Sequence, residues 1–480
     1  MKHKFEKHKI SPFIINRRHR RNLKSIEKRK SRRKLYMCQV SQLSIQERGL
    51  SKSIKSLTQA IELLMPIHLK YLLNNENSPF NKKKLKKVQY KEIKVLKVPK
   101  KFSIIENAEE SYTFIKDIIE TIYHQACKQL WFNYHDCIFC DLPTQVFLDS
   151  ILIDNDKFIR RCQKIEISQY LHISSIGAIN INDPKLQQMI NSVGSPVELI
   201  NRKIKFSNII PYKLRHFSKE TASWQKKLGQ KDIDTSDLIQ YVIDCLSRFQ
   251  QTLTQSARQE LGNVIGETIS NAEEHSSLHN RYLIGYMQED TKAKSHCGLL
   301  YLVMMNTGKT IYEKFKYPEE GKEINQDCLM KMQLLSDKFK KKSFLRPDAF
   351  TEENLWTLYT LQGGVSIIPP SIRKRGNGTI EFIDSFFKLK GSVSADNISH
   401  LSIISGNTEI DFDGTYKIHK SLDNDGHTIS KMTFNKSNSL EELPDSKYVY
   451  HIKNYFPGTI IYAQLLINEK DIEIENEKRI

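Results

Sequence analysis

The chain has 480 residues, of which 39% are hydrophobic and 27% are charged, and these values are ordinary for a globular protein. The composition excludes a wholly disordered or collagen-like chain, and the length predicts two to four domains. Lys and Arg outnumber Asp and Glu by 74 to 55, which gives a net charge of +19. Residues 1–100 hold 28 of these basic residues against 6 acidic ones, so the excess positive charge is N-terminal.

Residues 1–100 are predicted to form a basic region that is partly disordered and partly helical. The basic runs 17–21 and 28–34 disfavour compact packing, whereas apolar residues between positions 51 and 73 recur with helical spacing up to Pro66. This charge has two interpretations. The region binds nucleic acid or another acidic partner through its positive charge, or it is a solvated tail. Nucleic acid is therefore a candidate partner of residues 1–100.

Residues 101–218 are predicted to form a small α/β domain, followed by a polar linker at 219–235. Helical periodicity covers residues 107–129, and the apolar run at 136–142 is expected to be a buried strand. The eight cysteines are scattered, which favours reduced thiols over a disulfide framework. Cys137 and Cys140 have the spacing of a zinc-binding pair, but buried strand cysteines are the favoured interpretation because no second pair completes the site.

A helix with a functional stripe is predicted from Ser256, which forms a capping-box pattern with Gln259, through His275. At helical spacing the apolar face consists of Leu261, Val264, Ile265, Thr268, Ile269 and Ala272. Glu267 and Asn271 lie one turn apart on a neighbouring polar stripe. A carboxylate beside an amide suits a water-activating base next to a Mg²⁺ ligand, and an ordinary amphipathic helix is the alternative.

Two glycine-containing turns follow this helix in the sequence. Strands are predicted at 281–288 and 296–305, and the second ends in Asn306, Thr307, Gly308, Lys309 and Thr310, before a helix from Ile311. The second turn, before a helical pattern at 380–389, consists of Arg375, Gly376, Asn377, Gly378 and Thr379. A glycine turn that opens a helix exposes backbone N–H groups at the positive end of the helix dipole, where phosphate binds well.

In this order the three blocks resemble the GHKL superfamily of ATPases and kinases, which includes histidine kinases and anti-sigma-factor kinases. Glu267, Asn271 and His275 resemble its N box, residues 306–308 its adenine-binding G1 box, and residues 376–379 the G2 box that covers the phosphates. The resemblance implies that Glu267 is the general base and Asn271 the Mg²⁺ ligand. The nucleotide-binding residues that it implies are Asn271, Asn306, Gly308, Lys309, Arg375, Gly376, Asn377, Gly378 and Thr379.

Some of these residues depart from the family pattern or have a simpler explanation. The G1 box normally begins with Asp, whereas Asn306 offers a neutral amide oxygen, and Thr310 stands at the motif's second glycine. Lys309 and Arg375 flank the two glycine boxes and could contact phosphate, with a helix start and a solvated loop as the alternatives. We therefore expect nucleotide binding and leave its turnover open.

The resemblance covers residues 236–470 and implies a Bergerat fold, a two-layer sandwich with ATP between helices and sheet. The whole chain is thus predicted to be α/β (α+β), with residues 311–370 as a lid and 471–480 as a tail. The antiparallel strands predicted after residue 400 are 401–405, 409–412, 431–435 and 458–467.

Residues 101–154 resemble, more faintly, STAS-type domains, in which a phosphorylated serine follows an Asp in a short strand-to-helix turn. The resemblance would make Ser150 a phospho-acceptor, whereas a helix cap is the alternative role for this residue.

These features predict a cytoplasmic ATP-binding protein that uses Mg²⁺-ATP binding and slow hydrolysis as a conformational switch in signalling or defence. Two alternatives stay open: an anti-sigma-factor-like Ser/Thr protein kinase, and a non-enzymatic nucleotide sensor or nucleic-acid-binding scaffold. We expect ATP and Mg²⁺ as ligands, an unidentified protein partner and no membrane association, and a homodimer is a candidate assembly. The longest apolar run, at 298–305, is too short to cross a bilayer.

Overall fold

Helices and strands of both parallel and antiparallel sheets make up the protein, so the predicted α+β class is confirmed. The structure, a computed structural model, describes residues 45–193, 209–218, 229–248, 251–275, 277–289, 298–318, 321, 323–343, 350–369, 378–390, 399–422, 428–467 and 471–474. The chain divides into two compact units, Met1–Leu64 with Lys157–Leu171 and Met65–Asp156 with His172–Ile480.

The smaller unit contains α1 (Ile45–Ser53), α2 (Leu57–Leu64) and the end of α5 (Leu142–Lys164). Ala60, Ile61 and Leu64 are buried on one side of α2, as their helical spacing predicts. The carbonyl of Leu64 accepts a hydrogen bond from Nη1 of Arg161 at 3.0 Å, which satisfies one of the carbonyls left open at the end of α2.

The larger unit begins with α3 (Ile67–Asn74) and a three-stranded parallel sheet. Its strands are β1 (Lys91–Lys97), β3 (Cys127–Asn133) and β5 (Ser175–Ile179), in that spatial order, and α6 (Pro184–Val193) follows them. The connections are α4 (Ala108–Tyr123) and α5, and these helices lie side by side, because the ring of Phe80 contacts both Tyr112 of α4 and Phe147 of α5. Two further short strands, β2 (Lys101–Phe102) and β4 (Phe139–Cys140), pair with each other in parallel.

A five-stranded antiparallel sheet forms the centre of the larger unit. In chain order its strands are β6 (Ile209–Ser218), β8 (Asn280–Glu289), β9 (Gly298–Thr307), β10 (His400–Phe412) and β13 (Val449–Leu466). Their spatial order is β10-β13-β9-β8-β6. β9 therefore lies in the middle of the sheet, and its last residues are paired on both sides.

Three helices cover one face of the five-stranded sheet: α7 (Gln230–Ser247), α8 (Gln255–His275) and α12 (Gly378–Lys390). Buried residues from these helices and from the sheet form one apolar core, which includes Leu238, Val242, Ile265, Ile269, Leu302, Met304, Phe382, Ile403 and Ile461. Because alternate strand residues point to the same face, Leu302 and Met304 of β9 both contribute to this core.

The opposite face of the five-stranded sheet contacts the elements around the parallel sheet. The ring of Phe456 in β13 lies 5.1 Å from that of Phe147 in α5, and the hydroxyl of Tyr282 in β8 lies 3.3 Å from Nδ1 of His68 in α3. The ring of Phe132 in β3 contacts that of Phe114 in α4. The larger unit thus has four layers: parallel sheet, helices α3–α5, five-stranded sheet, and helices α7, α8 and α12.

The region between the two glycine turns has its own small core. It contains α9 (Ile311–Lys316), α10 (Gln326–Ser343) and α11 (Glu352–Thr360), whose buried residues are Phe315, Met332, Phe339, Leu355, Trp356 and Tyr359. The remaining strands form two antiparallel pairs, β11 (His419–Leu422) with β12 (Thr428–Lys431) and β7 (Gln251–Leu253) with β14 (Ile472–Ile474).

The middle of the chain differs from the predicted elements. The helix predicted at 107–129 ends at Tyr123, because Gln125 has a φ of +49°, which no α-helix accommodates. The strand predicted at 136–142 is wrong except at Phe139–Cys140, and the main strand here is β3. In β3 the buried residues Leu130 and Phe132 alternate with partly buried ones, a period of two that the helical interpretation overlooked.

Several elements from one predicted region pair with, or extend into, another predicted region. The domain limits themselves stay a prediction. β6, at the end of the predicted small domain, pairs with β8 of the five-stranded sheet. α7 begins at Gln230, within the predicted linker, whereas residues 219–228 lie outside the described residues. β14, in the predicted tail, pairs with β7.

Candidate functional site

The helix predicted to carry the base and the metal ligand is α8. Thr254 precedes it, and its hydroxyl accepts a hydrogen bond from the backbone N–H of Ala257 at 3.2 Å, so the cap lies two residues before the predicted Ser256. The predicted apolar face is confirmed by the burial of Leu261, Val264, Ile265, Thr268, Ile269 and Ala272. This face fixes α8 against the sheet and therefore fixes the direction of its polar stripe.

Glu267 and Asn271 lie one turn apart on α8, as predicted. Glu267 is partly buried. The backbone of Asn271 is helical, whereas its side chain lies outside the described residues, as do the side chains of residues 273–275. Ala272, the next residue of α8, is buried, and its carbonyl oxygen lies at the end of β9, where it accepts a hydrogen bond from Asn306.

Asn306, the last residue but one of β9, is 4% exposed and faces α8. Its Nδ2 donates a hydrogen bond to the carbonyl oxygen of Ala272 at 3.3 Å. Its Oδ1 is buried and accepts no hydrogen bond from any described residue. An acceptor left in this state costs about 1–3 kcal/mol, so the position is one where a donor from outside the chain would be favourable.

The turn after Asn306 is held by Ser277, in the segment that follows α8. The Ser277 hydroxyl accepts a hydrogen bond from the backbone N–H of Lys309 at 2.9 Å. Gly308 has a φ of +139°, and a Cβ atom there would lie 2.7 Å from Oγ of Ser277, so only glycine fits without displacement. The end of α8 and the predicted adenine box are thereby joined.

Thr310, which stands where the family has a second glycine, caps α9. Its hydroxyl accepts a hydrogen bond from the backbone N–H of Glu313 at 3.1 Å, and the Glu313 carboxylate accepts one from the backbone N–H of Thr310 at 3.0 Å. This reciprocal capping box satisfies two helix N–H groups. Lys309 Nζ donates to the carbonyl of Tyr317, at the other end of α9, at 2.6 Å. The departure at Thr310 therefore has a structural reason.

The second glycine box is described only from its last two residues onward. α12 begins at Gly378, and Thr379 is partly buried in its first turn. Arg375, Gly376 and Asn377 lie outside the described residues. The predicted helix at 380–389 is confirmed, and its buried residues join the same core as those of α8. The helix that follows the predicted phosphate box therefore packs on the helix with the predicted base.

Two residues that lie outside the predicted set of site residues hold the end of β9. Asn280 is fully buried, its Nδ2 donates to the Thr307 hydroxyl at 2.7 Å and its Oδ1 accepts from the Thr307 N–H at 3.2 Å. Gly458 of β13 is the register partner of Thr307, and a Cβ atom there would collide with the carbonyl oxygen of Asn306. The sequence signal was a glycine next to Pro457 inside a strand, which marks a close backbone approach.

The predicted phospho-acceptor lies away from these groups. Ser150 is inside α5, 4% exposed, and its hydroxyl donates to the carbonyl of Phe147 at 2.7 Å. The expected strand-to-helix turn is wrong, and so is the alternative of a helix cap, because α5 begins eight residues earlier, at Leu142. A buried hydroxyl bonded within its own helix is not accessible to a kinase.

The cysteines of the described region are free thiols, and Cys137 and Cys140 are buried as predicted. Burial raises the pKa of the Cys137 thiol to about 11, so it is protonated at neutral pH. Within the described ranges no group of three or more His, Cys, Asp or Glu side chains is placed to hold a metal ion.

Comparisons of this chain with protein-family models, with curated proteins and with solved structures found no match. Across the described part of the chain, none of the helices has the length and apolar character needed to cross a membrane.

Proposed function

We propose that this chain is a cytoplasmic ATP-binding protein of the histidine kinase-like type, which uses Mg²⁺-ATP binding and slow hydrolysis as a conformational switch in signalling or defence. One observation supports this most strongly. The buried Oδ1 of Asn306, at the end of β9 and facing α8, accepts no hydrogen bond within the described residues. The exocyclic amino group of adenine is a donor that would satisfy it.

The replacement of the family's Asp by Asn306 fits this role. The carbonyl oxygen of Ala272 accepts a hydrogen bond from Nδ2 of Asn306. An ionised Asp has no N–H group and could not donate this bond. A carboxylate at this position would place an oxygen against that carbonyl. The hydrogen bond to Ala272 therefore orients the amide and directs its oxygen away from the carbonyl of α8, where a ligand could donate to it.

The other roles follow from the resemblance and the positions of the residues. Asn271 would hold Mg²⁺, which neutralises charge on the phosphates when it is bound. Glu267, one turn before it, would orient the attacking water and take its proton. The N-terminus of α12, with Gly378 and Thr379, and the preceding Arg375, Gly376 and Asn377 would bind the phosphates. Gly308 would allow close approach of the adenine base. Lys309 would contact a phosphate once its Nζ donates to a phosphate oxygen in place of the carbonyl oxygen of Tyr317.

The role of Asn306 is tested by calorimetry with ATP and with purine riboside triphosphate, which lacks the exocyclic amino group. We expect the wild type to bind ATP at least about tenfold more tightly, because the buried Oδ1 would stay unsatisfied with the analogue. Asn306→Ala should abolish this difference. If neither nucleotide binds, the proposed function is wrong; if both bind equally to the wild type, the role of Asn306 is wrong.

The roles of Glu267 and Asn271 are tested by phosphate release and by Mg²⁺-dependent binding. Glu267→Gln should slow hydrolysis about 10²- to 10⁴-fold while affinity is largely kept, and Asn271→Ala should remove the Mg²⁺-dependent binding. Asn263→Ala, at an exposed position of the same helix, is the matched control and should change neither. Hydrolysis by Glu267→Gln at the wild-type rate contradicts the base assignment, and transfer of labelled phosphate to protein would indicate a kinase.

A further inference from the structure

One face of the parallel sheet lies away from the helices that connect its strands. Lys94 of β1 donates from Nζ to the hydroxyl of Thr121 in α4 at 2.8 Å, and Phe132 of β3 contacts α4 through Phe114. Because successive side chains of a strand point to opposite faces, the residues that alternate with Lys94 and Phe132 point away from these helices. We call them the outer face: Lys91, Ile93, Val95 and Lys97 of β1, Gln129, Trp131 and Asn133 of β3, and Ser175, Gly177 and Ile179 of β5.

The centre of the outer face is apolar and accessible. Ile93 and Val95 are 54% and 48% exposed. The six-membered ring of Trp131 lies over Gly177, where a Cβ atom would be only 2.5 Å from Cζ3, and the indole N–H donates to Oε1 of Gln129 at 3.3 Å. Parallel sheets usually have helices on both faces, because their strands are apolar on both sides. The outer face has the surface for a second helix layer.

The edges of the outer face are positively charged. Lys91 and Lys97 are exposed at the two ends of β1. The segment 82–101 contains ten lysines and one acidic residue, Glu92, which pairs with Lys128 at 3.0 Å. Of these lysines, Lys83 pairs with Glu76 and Lys101 with Glu106, and Lys94 points to the opposite face, so positive charge remains in excess after these contacts are set aside. A second copy of this chain would bring lysines against lysines, which is unfavourable. The charge therefore favours an acidic partner, and it also keeps the edge strand β1 from pairing with another copy.

We propose that the outer face binds an amphipathic helix of an acidic protein partner. The apolar side of that helix covers Ile93, Val95 and Trp131, and its carboxylates face Lys91 and Lys97. The bound helix supplies the second helix layer of the parallel sheet. Nucleic acid fits less well, because phosphates would satisfy the lysines but offer no aliphatic surface to Ile93 and Val95. This inference does not depend on the proposed nucleotide site.

The probe is a synthetic 18-residue helical peptide with Leu on one side and Glu on the other, and its binding to the full chain is followed by fluorescence anisotropy. A peptide with Lys in place of Glu is the charge control, and a dT20 oligonucleotide tests nucleic acid. We expect the Glu peptide to bind at least about tenfold more tightly than the Lys peptide. No binding of the Glu peptide, or equal binding of both peptides, would overturn the proposal.

Two double variants locate the binding to the outer face. Ile93→Ser with Val95→Ser, and Lys91→Glu with Lys97→Glu, should each weaken binding of the Glu peptide about tenfold or more. All four positions are exposed, so the fold should tolerate both variants. Ile233→Ser and Lys420→Glu, at exposed positions on α7 and β11, are matched controls that should bind like the wild type.

The proposal is also overturned if the variants of the outer face bind the Glu peptide like the wild type. Two further results would replace it with another partner. If dT20 displaces the peptide and its binding depends on Lys91 and Lys97 but not on Ile93 and Val95, the face is a nucleic-acid site. If the wild type is a dimer and Ile93→Ser with Val95→Ser makes it monomeric, the face joins two copies of the chain.

Discussion

The two faces of the five-stranded sheet hold their polar groups in different ways. On the face under α7, α8 and α12, the buried Arg281 pairs with Asp234 of α7, and the guanidinium also lies over the ring of Phe217 at 4.8 Å. On the face toward α3–α5, the buried Glu409 has neighbours that are mostly acids and phenols, namely Asp141, Asp411, Tyr112 and Tyr450. On the face under the three helices, the buried charge of Arg281 is thus balanced by the carboxylate of Asp234. On the opposite face, the surroundings of Glu409 favour the protonated form of its carboxyl group.

The pKa directions follow from this difference. Burial lowers the pKa of the Arg281 guanidinium, and the attraction of Asp234 opposes that shift. Burial, with the nearby Asp411, raises the pKa of Glu409 to about 8, and burial raises that of Asp141 to about 6. Of the two faces, the one away from the candidate nucleotide site should therefore contribute more to the dependence of stability on pH.

The largest expected effect is at the ion pair. Asp234→Ala would remove a carboxylate that pairs with the buried guanidinium of Arg281, and breaking comparable buried pairs costs about 3–5 kcal/mol. We expect a loss of this size in the free energy of unfolding, measured by urea denaturation. Asp237→Ala is the control on the same helix, because its pair with Arg215 is nearly half exposed and should contribute less than about 1 kcal/mol. Equal losses in the two variants would contradict the comparison.

An intermediate effect is expected at Glu409. Because its pKa is higher in the folded chain, about 8, than the ordinary value of 4.5, the folded state binds the proton more tightly than the unfolded state. The free energy of unfolding should therefore fall as pH rises from about 4.5 to about 8, by about 4 kcal/mol at most.

Glu409→Gln should remove most of this slope, because Gln keeps the shape and has no proton to lose. The measurement is urea denaturation at pH 5, 6.5 and 8 for both proteins. Asp141, with its pKa of about 6, and Glu353 of α11, whose pKa burial raises to about 7, add smaller contributions that end at lower pH and persist in the variant. A slope that is unchanged by Glu409→Gln would place the pH response elsewhere.

The smallest expected effect is at Tyr282, on the same face as Glu409. Tyr282→Phe removes the hydroxyl that contacts Nδ1 of His68 and should cost about 1 kcal/mol. Tyr317→Phe is the control, because Tyr317 is 58% exposed and its change should stay within about 0.5 kcal/mol. If the two variants are equally stable, the buried hydroxyl contributes nothing to the fold.

Local patterns in the sequence sufficed to predict much of the helix side of the sheet. The periodicity of α8 gave its buried face, and the alternation and turn residues gave β8, β9 and the helix start near Gly378. The parallel sheet was missed, because pairing between β1, β3 and β5 depends on contacts across 35 or more residues and leaves little local signal.

The candidate site could be predicted only where its residues share one element. Glu267 and Asn271 share a helix stripe, so their spacing alone places them together. Ser277 and Asn280 act on Lys309 and Thr307 through side-chain to backbone bonds across 27 to 32 residues, which no periodicity indicates. The same holds for the cap formed by Thr310, whose hydroxyl replaces a glycine for a reason visible only once α9 is seen.

β13 connects the two sides of the sheet within three residues. Gly458 lies against the backbone of Asn306 at the candidate nucleotide site, and Phe456 packs on Phe147 of α5 on the opposite face. Because protein interiors are close-packed, neither contact leaves slack for the strand to absorb a displacement. A displacement of Asn306 would therefore be transmitted along β13 from Gly458 to Phe456, and from there to α5, one of the helices that pack under the parallel sheet.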